Sequence, residues 1–425
     1  MKRIVAFALL VALILGCAHA AVSVRMDDAA TLLTQDGVEL VSSGAYADIV
    51  SLGNGLFAAS PDGELFALMN EDGAPCTNAL YEEFRLKGDM LLARRDGAWG
   101  LMNRNGAELG TFEYSRIETD GEGGCWAIRE GAESDDLLLL DAQGRARNSG
   151  LRVRQAGQAG AGLLPVQLES GRWGCCDSDG QLAIPDDYDY IGGFVCERAA
   201  AVIDGQYGAI DRNGGWIVEP AYDFLEISEA GFILAVDMDG ARLLDMDGGE
   251  IAAYFEENIF AALAGAVYVI EDGESLRIFD ASGELLEELA PDVSVSEGVG
   301  GQLVISEGMW GEECVRLLGT DAAYQNLYPL GTAGGEPIYA CMEVNAARYV
   351  NDLLREIQIS VDMDTARYGL VNGAGERILP CDYISIEYLS DNRFLARTER
   401  QWQMIDSRGK VYWRRSVTQT EAPNS

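Results

Sequence analysis

The sequence predicts an all-β chain. The expected form is a tandem array of about ten three-stranded β-meander repeats, propeller-like or an open solenoid, with one short helical insertion. Three observations carry this expectation. First, an Asp or Asn followed three residues later by Gly recurs at Asn70, Asn103, Asp141, Asp177, Asp211, Asp245, Asp280, Asn372 and Asp406. Second, successive marks lie 33, 38, 36, 34, 34, 35, 92 and 34 residues apart, so one period runs through most of the chain. Third, the residue four before each mark is aromatic or apolar: Phe66, Trp99, Leu137, Trp173, Tyr207, Ala241, Leu276, Tyr368 and Trp402. An array grows by adding units, so the period overrides the roughly two or three domains that length alone suggests.

The stretch from Ala201 to Leu225 shows the unit most clearly. Ala199 to Ile203 is apolar and short, as a buried strand is, and Asp204-Gly205 is a tight-hairpin signal because both residues tolerate positive φ. Tyr207 to Ile210 is the returning strand. Asp211-Arg-Asn-Gly214 then fits a type I turn, with a carboxylate free to accept backbone N–H groups and a glycine able to turn left-handed. Trp216 to Glu219 is read as a third strand ended by Pro220, which cannot donate to a ladder. The downstream half recurs as Pro185 with Tyr188-Asp189 and as Pro380 with Asp382-Tyr383. Near the N-terminus, Thr31 to Val41 reads as one more copy, which brings the count to ten or eleven.

The 92-residue interval breaks the rhythm. Val299 to Leu318, with Trp310-Gly311, supports a degenerate unit, and the excess lies between Ala322 and Asp364. There Ala346, Tyr349, Val350, Leu353, Leu354 and Ile357 follow a helical period, so a helix is expected over 345–357. Insertions in arrays collect on one face, often the binding face. Tyr339, Arg348, Tyr349 and Arg355 are therefore the binding candidates.

The expected organisation is a signal peptide at 1–20, β repeats at 21–321, the insertion segment at 322–364, further repeats at 365–415 and a disordered tail at 416–425. Lys2 and Arg3 precede an apolar run from Ile4 to Leu15 that is short for a membrane span and shaped like an export signal. Two exits compete. Ala18-His19-Ala20 fits ordinary cleavage, whereas Leu15-Gly16-Cys17 resembles a lipobox and makes Cys17 the lipidation candidate. Either exit implies a secreted protein or a cell-surface lipoprotein, touching membrane only through such an anchor.

With 31 basic and 69 acidic residues, net −38, the surface repels nucleic acid and anionic lipid. The single histidine, His19, belongs to the signal, which removes Ser-His-Asp and Cys-His systems and histidine metal sites from the repeats. Eight cysteines follow the signal with no C-x-x-C spacing and read as small buried residues; adjacent Cys175 and Cys176 point to opposite faces of a strand. Asp177-Ser-Asp179, Asp237-Met-Asp239 and Asp245-Met-Asp247 resemble the start of a calcium loop, but they fall where the repeat needs a turn. No cofactor and no metal are expected.

Trp99-Gly100, Trp173-Gly174, Tyr207-Gly208 and Tyr368-Gly369, each followed by the turn mark, resemble the WG-repeat family of bacterial proteins, with Trp402 heading a copy in which Gln403 replaces the glycine. The family unit is similar to W-G-x-x-[DN]-x-x-G-x-x-[IV]-x-P-x-[YF]-[DE], and the resemblance spans about 30 to 415. Leu137, Ala241 and Leu276 depart from the aromatic. The resemblance implies an exported protein that binds others rather than one that catalyses. The expected function is a non-enzymatic binding scaffold at the bacterial cell surface with a protein or glycan partner. The alternatives are a structural envelope component and a carbohydrate-active enzyme with paired carboxylates.

Overall fold

The computed structural model describes residues 21–417 apart from 27–28, 122, 132–133, 255–259, 265–266, 272, 309–313 and 352–355. The expected signal with Cys17 and His19, the Trp310-Gly311 pair and Arg355 lie outside the described residues.

Strand formation follows the turn chemistry. At Asp204-Gly205 both residues take positive φ, 52° and 80°, which matches the twist of the strands they join. At Asp211 the Oδ1 atom accepts the Asn213 and Gly215 amides at 2.8 and 2.9 Å, and Gly214 turns with φ of 81°. Asn103, Asp141, Asp177, Asp245, Asp280, Asn372 and Asp406 repeat this double acceptance. These turns fold their own backbone within four residues, so their spacing is the spacing of the units.

Among the described residues the strands form ten antiparallel sheets: six of four strands, three of three and one of seven. Two of them, one plain and one extended, frame the candidate site and its simpler counterpart. The plain sheet comprises β1 (Tyr190–Ile191), β2 (Ala199–Ile203), β3 (Gln206–Ile210) and β4 (Trp216–Tyr222). The extended one comprises β5 (Asn326–Ala333), β6 (Glu336–Asn351), β7 (Glu356–Asn372) and β8 (Arg377–Tyr383). Four strands, where three were expected, arise because the link after each Tyr-Asp pair is itself extended, as in β1 and in Phe224–Ile227 of the next sheet.

Pro220 does not end its strand, contrary to the expectation from sequence. β4 continues to Tyr222, and Pro220 sits in a bulge: Ala209 pairs with Val218 and Tyr207 with Tyr222, leaving three residues opposite Gly208. An unpaired bulge position has no ladder bond for proline to lose. The expected helix at 345–357 is also corrected. Asn345 to Asn351 belong to β6 and pair with Glu356 to Asp362 of β7. The helical period stops at Ile357, but Ile357-Gln-Ile359-Ser-Val361 alternates β-branched and polar residues, and its ladder holds the preceding segment extended.

The cores lie between sheets, fed from both faces of each strand. Cys175 packs with Ile184, Ala199 and Ala201, whereas Cys176 packs with Trp126, Leu137 and Leu164 on the other side. Ala209 and Val218 meet Leu225, Ile233 and Ala235 of the next sheet, and Leu234 meets Phe279 of the one after. This continues to Ile338 and Leu370 against Ile386 and Phe394. Leu395, Met404 and Trp413 of the last sheet then pack on Val22, Val24 and Leu33 of the first. Arg393 Nε donates to the Gln35 carbonyl at 2.8 Å across that seam, and Trp413 Nε1 to Glu39 at 3.1 Å.

Candidate functional site

The residues of the repeat signature are structural. Trp99, Trp173 and Trp402 are buried in cores between sheets, and Tyr207 and Tyr368 are half-buried against them. The glycine after the aromatic has a steric reason. A Cβ on Gly208 would stand 2.5 Å from the Val218 carbonyl oxygen and one on Gly174 2.6 Å from that of Ile184, because the bulged fourth strand crosses over the third at this point. Gly369 meets the Leu379 carbonyl in the same way.

The long hairpin β6–β7 departs from the plain unit, and a hollow opens at its base. Glu343 pairs with Arg367, but the next paired residues are Asn345 and Asp362, so four residues of β7 face one of β6. Two side chains replace the missing ladder. Gln325 accepts the Val344 amide at 2.7 Å and donates to the Val344 carbonyl at 3.2 Å. Thr365 Oγ1 accepts the Asn345 amide at 3.0 Å and donates to the Asp362 carbonyl at 2.6 Å.

The resulting cleft, of about 510 Å³, is lined by Tyr324, Gln325, Glu343, Asn345, Thr365, Arg367, Arg377 and Cys381. Arg377 pairs with Glu343 at 2.7 Å, and its guanidinium lies 5.5 Å from the centre of the Tyr324 ring. The Tyr324 hydroxyl donates to the Gly375 carbonyl at 2.7 Å, and burial raises its pKa. Arg367 reaches Glu399 at 3.4 Å and separates this cleft from a second hollow bounded by Asp382, Thr398 and Arg400. Two guanidinium groups with amide donors on an acidic chain suit a polar ligand bearing hydroxyl or anionic groups.

The sequence candidates fall unevenly around this cleft. Tyr339 is fully buried, donating to Gln302 and accepting from the Val299 amide, each at 3.1 Å, so it is a core residue. Arg348 and Tyr349 lie on β6 beyond the bulge, paired with Ile359 and Gln358. Tyr324, Arg367 and Arg377 were missed. Arg377 occupies the position of Trp216 in the plain unit, and that substitution was the available signal.

The aspartates that resembled calcium ligands serve turns: Asp177 and Asp245 each accept two backbone amides, and Asp237 holds Arg242 at 2.7 Å. Among the described residues no three of His, Cys, Asp and Glu converge as a metal site would require. No helix among them is long and apolar enough to cross a membrane.

Residues 173–207 and 207–240 match the family described as WG containing repeat, as two tandem copies. No curated protein matches the chain. Among solved structures, BamB from Moraxella catarrhalis is similar at 14% identity and a TM-score of 0.31, over 67% of this chain and 95% of that one. A eukaryotic initiation factor aligns at 8% identity and a TM-score of 0.40, over 64% and 85%. AztD from Citrobacter koseri aligns at 11% identity and a TM-score of 0.32, over 64% and 94%.

Proposed function

We propose that this chain, with its two WG repeats at 173–240, is an exported, non-enzymatic binding scaffold at the cell surface that recognises a protein or glycan partner. The observation that carries the proposal is the polar cleft at the base of β6–β7, where the array departs from its own period and gathers Tyr324, Arg367 and Arg377. A second surface favours a glycan. Tyr190 and Phe224, at equivalent positions of neighbouring sheets, are 43% and 42% exposed; Tyr190 meets Trp173 edge-on and Phe224 meets Tyr207 at a tilt. Sugar rings stack on such faces. We also propose that the units continue around a closed, propeller-like ring of about ten or eleven. Packing of the last sheet on the first supports closure, since an open solenoid would leave Val24 and Leu395 in water.

The full chain is titrated with cell-wall glycan fragments, acidic and basic peptides, and calcium, reading both heat of binding and thermal shift. Saturable binding that falls at least tenfold in Arg377→Ala and Arg367→Ala supports the cleft. Binding that survives both but is lost in Tyr190→Ala moves the site to the aromatic surface. Absence of binding to every class leaves the structural envelope component as the better reading. Fractionation of cells expressing the wild type and Cys17→Ala distinguishes a lipid anchor from ordinary secretion.

A further inference from the structure

In the repeat, the glycine under the crossing strand leaves a gap that side chains of the second and fourth strands can enter. In the plain unit the residue opposite Gly208 is Ala201, and the second bulge residue is Pro220. The same two positions around Gly369 hold Cys341 and Cys381. Their sulfurs are 3.5 Å apart across the glycine, and Cys381 Sγ also lies 3.8 Å from the Cys341 carbonyl oxygen. Cys341 is buried against Val304, Leu317 and Val371, while Cys381 is half-buried and opens onto the cleft beside Arg377.

We propose that Cys341 and Cys381 are a redox pair that closes reversibly into a disulfide over Gly369 by exchange with a disulfide of another molecule. Bond formation requires the sulfurs to approach to about 2.05 Å. The three unpaired residues of the β8 bulge, Pro380 to Asp382, supply the slack.

Donation from the Cys381 thiol, with Arg377 nearby, holds the Cys341 pKa below its ordinary value, and the same bond holds that of Cys381 above its own, so the shared proton passes to Cys341 as Cys381 attacks. Cys381, the sulfur on the cleft, attacks one sulfur of an incoming disulfide such as oxidised glutathione, forming a mixed disulfide and releasing one thiolate. Cys341 then attacks Cys381 Sγ, the mixed disulfide breaks, and a second thiolate leaves. Two protein thiols are oxidised, one external disulfide is reduced to two thiols, and the two protons pass to the leaving thiolates. No bound ligand is needed, so this inference stands or falls apart from the binding function.

The test uses the full chain carrying Cys196→Ser and Cys314→Ser, which removes the two thiols that are exposed among the described residues. It is equilibrated over a series of glutathione ratios, acid-quenched, alkylated and mapped by mass spectrometry. A peptide linking Cys341 to Cys381 is expected to rise as the pool becomes oxidising and to vanish on reduction, while Cys125, Cys175 and Cys176 stay alkylatable in denaturant. Cys341→Ser should trap glutathione on Cys381; Cys381→Ser should leave buried Cys341 unmodified. Full alkylation of both cysteines at every ratio, or linkage of either to another cysteine, overturns the proposal, and the wild-type mapping decides it even if a variant fails to fold.

Discussion

The sheets β1–β4 and β5–β8 share the crossing of their third and fourth strands position for position. Tyr207 pairs with Tyr222 and Tyr368 with Tyr383, each across a bulge of three residues lying over a glycine. Each turn glycine carbonyl receives a tyrosine hydroxyl from the preceding region: Tyr188 to Gly214 at 3.0 Å and Tyr324 to Gly375 at 2.7 Å. They differ in what the skeleton carries. β2 and β3 stop at a two-residue turn, whereas β6 and β7 run on as a hairpin of 16 and 17 residues. The first unit puts Ala201, Pro220 and Trp216 around its glycine, and the second puts Cys341, Cys381 and Arg377 there. The repeat thus separates tasks: turns and crossings hold the fold, while residues around the glycine are free to vary because neighbouring sheets already bury the core.

The most severe way to break the comparison is to fill the gap. Gly208→Val and Gly369→Val should each cost about 3 kcal/mol in urea unfolding, since the new side chain meets carbonyl backbone rather than a movable side chain. Tolerance at one site and not the other would mean that the two crossings are not the same device. Gly369→Val should also part the two cysteines and abolish their linkage in the mapping experiment.

A milder cut removes the hydroxyl that joins neighbouring units. Tyr188→Phe and Tyr324→Phe should each cost about 1 kcal/mol of stability, the usual net worth of one hydrogen bond. Only Tyr324→Phe should also weaken ligand binding, because the hydroxyl bond to Gly375 fixes the ring over which Arg377 lies. Arg377→Ala should change stability by less, about 0.5 kcal/mol or under, as expected of a partly exposed ion pair. Its effect belongs in the titrations.

The subtlest contrast is pH. Burial pushes the Asp211 carboxyl up, but the Gly215 and Asn213 amides and Arg198 outweigh it and hold the pKa below the usual value. A group depressed in the folded state stabilises above its unfolded pKa, near about 4, and loses that contribution as pH falls through the folded value. Asn372 makes the same two turn bonds with an amide oxygen and does not titrate. Hydrogen-exchange protection at Asn213 and Gly215 should therefore fall as pH drops below about 4, relative to Ala374 and Glu376. Asp211→Asn should remove the difference.

Much of the fold was legible in the sequence, because the turns are local. Asp204-Gly205 and Asp211 with Gly214 fold within four residues of themselves, and their period announces the units. The opposite faces of Cys175 and Cys176 followed from strand geometry alone. The candidate site was legible only as a place, the broken interval. Tyr339 looked accessible and is core, whereas Arg377 looked ordinary and stands in the cleft.

By itself, then, the sequence determined the turns, their period and three strands of the plain unit, since each rests on φ preferences and hydrogen bonds between near neighbours. The tertiary structure decided the rest. It made 345–351 a strand through its ladder with 356–362, carried β4 past Pro220 through a bulge, set Cys341 beside Cys381 over Gly369, and laid Leu395 on Val24. Each of these depends on groups that meet only when distant strands pair or sheets pack, and no local preference encodes such a meeting.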